Sequence, residues 1–165
     1  MLEIVATSSS GRHEFLSRQE WESWGAVMML HRTVVQALDS ELRRCHGLAV
    51  TEFEVLITLF NAPEQRLGMS ALADRVLLSP AGISHLVTRL ERDQKVRREV
   101  DPADGRKWFT VLTPDGDRAL REARLTHNDV LRRTFFSATS AAERRTLQRV
   151  WQRLATQQRE RVPTL

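Results

Sequence analysis

Residues 70–112 carry three successive patterns of apolar and polar positions. Residues 70–77 and 79–90 each have the length and spacing of a short helix, with a turn between them. The apolar positions of the second helix follow the spacing i, i+3, i+4 and i+7, and they are Ile83, Leu86, Val87 and Leu90. This spacing predicts a helix with one apolar face that packs against a core.

The helix predicted at 79–90 has a clear beginning and a polar outer face. Ser79 is a favourable N-cap, and Pro80 at the first helical position loses no needed hydrogen bond. The polar face carries Ala81, Ser84, His85, Thr88 and Arg92, with Arg89 at its edge. Ser, Thr and His can hydrogen-bond to bases or phosphates, and a helix N-terminus attracts phosphate. The alternative is an ordinary amphipathic helix with a solvated face.

A hairpin with a charged tip follows this helix. Val96 and Val100 alternate with charged residues, as in a half-buried strand, and the bulky residues 108–112 predict the returning strand. The tip at 101–106 presents Arg106, followed by Lys107, and a basic tip can reach phosphates or a narrow minor groove. The plain alternative is a solvated surface hairpin. The order helix, turn, helix, hairpin is more specific than either part, and it predicts a winged helix-turn-helix that binds DNA.

Long amphipathic helices are predicted on both sides of this segment. Ser17 and Glu20 form a capping box that opens a helix ending at His46, before Gly47. Its apolar positions form two series with heptad spacing, Trp21, Met28, Val35, Leu42 and, offset by three, Trp24, His31, Leu38, Cys45. A helix this long needs partners for such a seam, which predicts a second subunit; the alternative is a monomeric helical bundle.

Capping residues predict the remaining helices. Thr51 with Glu54 predicts a helix through Phe60, with its apolar stripe at Phe53, Leu56, Ile57 and Phe60 and its end at 61–63. Residues 113–115 open a long helix to about Ser137, and Ser140 with Glu143 opens a last helix through Leu154. The predicted fold class is mainly α (α+β), a winged helix-turn-helix with long N- and C-terminal dimerisation helices. Its parts are a flexible arm (1–15), an N-terminal dimerisation helix (16–47), the DNA-binding lobe (48–112) and C-terminal dimerisation helices (113–165).

The composition is basic, and the motifs that the sequence lacks argue against several classes of protein. The 165 residues carry a net charge of +4, and only two of the 25 basic residues are Lys. Arg suits bidentate contacts to phosphate and guanine, although GC-rich codon usage also favours it. No Gly-rich phosphate loop, zinc-ligand cysteine pair or HExxH helix occurs in the sequence, so neither an enzyme, a cofactor nor a metal site is predicted. The sequence shows no leader pattern or apolar run of membrane length, which predicts a cytoplasmic protein.

Residues 69–75, 79–91 and 101–116 resemble the multiple antibiotic resistance regulator (MarR) family, and the resemblance extends over roughly residues 25–155. The family's Asp-x-Arg wing pattern matches Asp104 and Arg106, although many members carry a second Arg where this chain has Gly105. The resemblance implies a homodimeric regulator, usually a repressor released by a small ligand or an oxidant, on a pseudo-palindromic double-stranded DNA operator. The predicted DNA contacts are Ser79, Ala81, Ser84, His85, Thr88, Arg89, Asp104, Arg106 and Lys107. The rivals are a winged-helix protein-interaction module and a small-molecule-binding protein or enzyme.

Four residues are candidates for effector binding. Trp21, Trp24 and His31 share one face of the first helix, and Arg98 shares the face of Val96 and Val100. In the family, pockets commonly lie between the dimerisation helices and the DNA-binding lobe, and an aromatic-lined pocket suits a phenolic or aromatic-acid ligand. The alternatives are a core or dimer-interface role for the three helix residues, and an ion pair with Asp101 or Asp104 for Arg98.

Cys45 is the single cysteine of the chain. Some members of the family sense peroxide through an N-terminal cysteine hydrogen-bonded to tyrosines, which makes a redox-responsive regulator a further alternative. This chain has no tyrosine, and Cys45 lies at the spacing of the buried face. The favoured interpretation is therefore a small apolar residue that fills the core.

Overall fold

The computed structural model describes residues 15–101 and 104–161, with side chains up to residue 157. In this part of the chain the elements are α1 (Arg18–His46), α2 (Val50–Phe60), β1 (Arg66–Gly68), α3 (Met69–Val76), α4 (Pro80–Arg92), β2 (Val96–Asp101), β3 (Asp104–Leu112), α5 (Pro114–Thr134) and α6 (Ala141–Arg161). Short 3-10 turns lie at Pro63–Gln65 and Phe136–Ala138. All but the last residue of the predicted arm at 1–15 lies outside the described residues. The chain divides into two compact units, Met1–Thr33 and Val34–Leu165.

The first unit contains the beginning of α1. The predicted capping box is confirmed, because the Ser17 N–H donates to the Glu20 carboxylate at 2.7 Å and the Glu20 N–H donates to the Ser17 hydroxyl oxygen at 3.3 Å. Every described side chain of this unit is exposed. Trp21 is 65% exposed and Trp24 is 52% exposed, so the predicted apolar seam is uncovered here.

The second unit contains a hydrophobic core to which α1, α2, α3, α4, the sheet and α5 contribute. The predicted apolar face of α4 is confirmed, because Ile83, Leu86, Val87 and Leu90 are each 8% exposed or less. Leu42 of α1, Leu56 of α2 and Leu72 of α3 belong to the same core. The core holds α4 by its apolar side and leaves the polar side outward.

A three-stranded antiparallel sheet with the order β1-β3-β2 forms the wing and its base. The predicted hairpin is confirmed, with Val96 opposite Leu112 and Val100 opposite Trp108. Strand β1 was not predicted, because three residues with one buried side chain, Leu67, are too short to show an alternation. It pairs with β3 and anchors the base of the wing beside α3.

The N-cap of α2 lies two residues before Thr51, so the predicted capping box at Thr51 and Glu54 is wrong. The N-cap is Ala49, and Glu52 at the N3 position accepts the Ala49 N–H at 2.7 Å. Asp39 of α1 accepts the next N–H, that of Val50, at 2.9 Å. Because these carboxylates satisfy the free N–H groups, an alanine can occupy the cap position. The end of α2 at Phe60, before 61–63, is as predicted.

The predicted starts of α5 and α6 are confirmed. Thr113 caps α5, because its hydroxyl oxygen accepts the Gly116 N–H at 3.0 Å. Ser140 and Glu143 form the capping box of α6. Helix α5 ends at Thr134, three residues before the predicted Ser137, since the chain then enters a 3-10 turn.

Cys45 is exposed, so its predicted role as a buried core residue is wrong. The core covers α1 through Leu38 and Leu42, which are 6% and 0% exposed. The chain then reverses at Gly47 with a φ of +64°, and Leu48 takes the next position in the core. This early reversal leaves Cys45, in the last turn of α1, outside the core.

Candidate nucleic-acid interface

Local capping fixes the beginning of α4. The Ser79 hydroxyl oxygen accepts the Gly82 N–H at 3.1 Å, and Pro80 occupies the first helical position, both as predicted. The turn before it passes through Leu77, which has a φ of +55° and is 89% exposed. The turn thus separates α3 from α4 without using a glycine.

The outer face of α4 presents the predicted polar side chains. The exposed residues on it are Ala81, Ser84, His85, Thr88, Arg89 and Arg92. The Thr88 hydroxyl donates to the Ser84 carbonyl oxygen at 2.9 Å, and its oxygen accepts a hydrogen bond from Arg98 at 2.8 Å. Thr88 is therefore already engaged on one side, whereas Ser84 and His85 lie earlier on the helix, nearer its N-terminal end.

Arg98 joins the wing to α4. Besides its bond to Thr88, its Nη1 lies 3.4 Å from the Glu91 carboxylate, and its backbone N–H donates to the same carboxylate at 3.2 Å. No local pattern in the sequence distinguishes Glu91, which lies one helical turn after Thr88. The Thr88, Glu91 and Arg98 contacts together hold β2 against the side of α4.

A cleft of about 490 Å³ lies between α4 and the wing. Its lining combines polar and apolar side chains, which are Met69, Ser84, Glu91, Arg98 and Trp108. Trp108 is 48% exposed. Of the four residues predicted to bind an effector, Arg98 contributes to this cleft, whereas Trp21, Trp24 and His31 are exposed side chains of the first unit.

The described part of the wing tip is organised by Asp104. One carboxylate oxygen accepts the Arg106 backbone N–H at 3.2 Å, and the other lies 3.4 Å from the Lys107 ammonium group. Both basic side chains are exposed. Residues 102 and 103 of the predicted tip lie outside the described residues. Asp104 therefore shapes the backbone from which Arg106 projects.

Arg89 has a partner that the sequence did not reveal. Its Nε lies 2.6 Å from a carboxylate oxygen of Glu52, whose side chain is 5% exposed. Glu52 and Arg89 are 37 residues apart in the chain. The one sequence signal for Glu52 is its place three residues after Ala49, where an N3 glutamate closes a capping box.

Within residues 15–101 and 104–161, no group of three or more His, Cys, Asp and Glu side chains is arranged to hold a metal ion. In the same part of the chain, no helix combines the length and the apolar character needed to cross a membrane.

Sequence comparisons point to one family. Residues 48–108 match the MarR family. The chain is 30% identical over 86 residues to the HTH-type transcriptional regulator MhqR of Bacillus subtilis, which covers 52% of this chain and 57% of MhqR. It is 36% identical over 76 residues to the HTH-type transcriptional repressor YetL of the same organism, which covers 46% of each chain. The chain thus spans about half the length of the curated relatives it matches.

Similar solved structures cover more of the chain. Sco3205, a MarR family transcriptional regulator from Streptomyces coelicolor in complex with DNA, has a TM-score of 0.81 and 28% identity over 88% of this chain and 91% of its own. AbsC, a MarR family regulator from the same organism, has a TM-score of 0.79 and 28% identity over 89% and 99%. BpsR from Bordetella bronchiseptica, whose DNA binding is regulated by 6-hydroxynicotinic acid, is 19% identical at a TM-score of 0.71 over 81% and 98%, a likeness of fold alone.

Proposed function

We propose that this chain, whose residues 48–108 match the MarR family, is a transcriptional regulator of that family and binds a specific DNA sequence through α4 and the wing. The observation that carries the proposal is the outer face of α4, where small and polar side chains project from a helix held by its buried apolar side. A major groove admits a helix of this kind, and its base edges are read by such side chains.

Every predicted contact residue except Arg89 receives a role in this proposal. Ser79 and the N-terminal end of α4 meet phosphate, while Ala81, Ser84, His85 and Thr88 face base edges. The Arg106 side chain enters the minor groove or binds its phosphates, Asp104 fixes the backbone beneath it, and Lys107 adds positive charge. Arg89 is given no DNA contact, because a buried carboxylate already binds it.

We further propose that the chain is a homodimer that represses transcription from a pseudo-palindromic operator. The exposed aromatic side chains of α1 support this, as do Trp151 and Leu154 of α6, which are 45% and 41% exposed. Exposed large apolar side chains are typical of an interaction site. In a twofold dimer, a second copy covers the apolar side chains of each of these helices, and two copies of α4 lie roughly 10 base pairs apart, centre to centre.

The proposed effector is a small aromatic or phenolic acid bound near Arg98. In the cleft between α4 and the wing, the Arg98 guanidinium can pair with a carboxylate, and Trp108 offers an aromatic surface. A ligand carboxylate there competes with Glu91 for Arg98 and so loosens the wing from α4. For Trp21, Trp24 and His31 we retain the dimer-interface alternative, which their exposure favours.

Selection of preferred sequences from random duplex DNA tests the proposed function. We expect the purified chain to enrich an inverted repeat with half-sites about one helical turn apart. Enrichment of no sequence, together with binding to a protein partner, would instead support the protein-interaction alternative. Failure to bind DNA at low salt would contradict the proposal outright, since phosphate contacts are strongest there.

A further inference from the structure

The buried Glu52 carboxylate accepts two hydrogen bonds from different parts of the chain. One oxygen accepts the Ala49 N–H at 2.7 Å, which completes the cap of α2. The other accepts the Arg89 Nε–H at 2.6 Å, which reaches across to α4. The Glu52 side chain is 5% exposed, so water does not replace either partner readily.

The end of α2 that carries Glu52 is itself fixed to α1. Asp39 accepts the Val50 N–H through one oxygen and pairs with the Arg43 Nε at 2.7 Å through the other. The hydrogen bond from Arg43, followed by that from the Val50 N–H, lowers the pKa of Asp39, so it is ionised at neutral pH. The α2 N-terminus therefore does not turn freely about its own axis, and Glu52 is a fixed point for Arg89.

Arg89 lies at the edge between the buried and outer faces of α4. It follows Thr88, an outer residue, and precedes Leu90, which is 0% exposed. A contact at this edge resists rotation of α4 about its axis, and such a rotation changes which side chains point outward. The apolar face alone constrains this rotation less sharply, because its contacts are non-directional.

We propose that Glu52 is a positioning residue for DNA recognition, which sets the orientation of α4 through Arg89. Arg89 accordingly links α4 to Glu52 and is not a phosphate contact. The inference rests on the proposed function, since it concerns the same helix, and it adds a residue outside the DNA-facing surface. Sequence selectivity then depends on a side chain that never touches DNA.

Substitution of each partner tests this inference in the full-length chain. Glu52→Gln removes the charge, and its amide can accept only one of the two N–H groups that the carboxylate now accepts. Arg89→Gln leaves the Glu52 carboxylate buried without its ion-pair partner, which is costly. Arg118→Gln is the control, because it also removes one positive charge, from an exposed pair with Asp115 on α5.

Affinity for the selected operator and for random duplex DNA is measured by fluorescence anisotropy over a series of salt concentrations. We expect Glu52→Gln and Arg89→Gln each to weaken operator binding about tenfold, and the double variant to be no worse than either, because both break the same pair. We expect random-duplex affinity, the salt dependence and Arg118→Gln to match the wild type. Thermal unfolding confirms that each variant is folded at the assay temperature.

A charge-conserving variant keeps the test decisive if Glu52→Gln does not fold. Arg89→Lys retains the positive charge but not the Nε geometry, so we expect it to lose operator selectivity as Arg89→Gln does. If Arg89 is instead a phosphate contact, Arg89→Lys restores binding, and Arg89→Gln reduces the salt slope by about 0.9. That result overturns the inference, as do folded variants that bind the operator as the wild type does. A wild-type chain without any sequence preference overturns the proposed function as well, which separates the two failures.

Discussion

The helices α1 and α4 carry the same kind of amphipathic pattern but differ in what covers it. On the buried face of α4, no apolar residue from Ile83 to Leu90 is more than 8% exposed, whereas Trp21, Trp24 and Met28 of α1 are 65%, 52% and 40% exposed. An apolar pattern therefore predicts which face of a helix is to be covered and not whether the chain itself supplies the cover. Where it does, as around α4, the helix is held by its own lobe; where it does not, the pattern indicates a partner.

The largest expected effect is a loss of stability at Gly116, where α5 closely approaches the backbone of Lys95. A Cβ on Gly116 would lie 2.0 Å from the Lys95 carbonyl oxygen, which cannot move without displacing the segment between α4 and β2. We expect Gly116→Ala to lower the free energy of unfolding by about 3 kcal/mol or more, measured by urea denaturation. Gly68→Ala is the control, since its Cβ would meet nothing within 4 Å. Equal effects of the two substitutions would contradict this packing of α5.

The next expected effect is a loss of self-association when the exposed aromatic side chains of α1 are removed. If a second copy covers α1, Trp21→Ala combined with Trp24→Ala removes about 3 kcal/mol or more of association free energy. We expect sedimentation at micromolar concentration to show a smaller species than the wild type. Leu77→Ala removes a side chain that is 89% exposed in the lobe and serves as the matched control. If the molecular mass of the double variant is unchanged, these α1 side chains do not hold a second copy.

A smaller effect concerns the outer surface of the lobe. We expect Arg106→Ala to weaken operator binding by about 1–2 kcal/mol and to lower the salt slope by about 1, because one phosphate or minor-groove contact is lost. Its stability and oligomeric state should match the wild type, since Arg106 is exposed. Affinity unchanged over the full salt series would show that the wing tip does not meet DNA.

The smallest expected effect is a gain in stability of the lobe when backbone strain is relieved. Gln94 lies between α4 and β2 with a φ of +59°, a left-handed conformation that favours glycine. We expect Gln94→Gly to raise the free energy of unfolding by up to about 1 kcal/mol, because the strain of a side chain there is about that size. A loss of stability in urea denaturation would mean that Gln94 makes contacts that outweigh its strain.

Much of the fold was predictable because its signals lie within the elements that they define. The beginning of α4 at Ser79 and Pro80 and the caps of α1, α5 and α6 depend on residues three positions apart or less. Strand β1 has no pattern of its own and forms against β3. Helix α2 begins earlier than its local pattern predicts, because Asp39, eleven residues before Val50, accepts the Val50 N–H.

For the candidate site, the sequence predicted the exposed face of α4 but not the side-chain pairs that join α4 to other elements. The outer face of α4 follows from the helical period, but the partners of its edge residues come from other elements. Glu52 binds Arg89 across 37 residues, and Arg98 reaches Thr88 from the wing. Pairing at such separations depends on tertiary packing, which no local spacing encodes.

Whether α4 reads base edges is tested most directly by comparing the DNA sequences preferred by the wild type and by His85→Ala. His85 is exposed on the outer face of α4, so its substitution leaves the fold and phosphate contacts in place. If α4 reads base edges, the variant should select an inverted repeat with the same spacing but a relaxed or altered base at one position in each half-site. An identical selected motif from both proteins, with equal affinity, would contradict the placement of this face in the major groove.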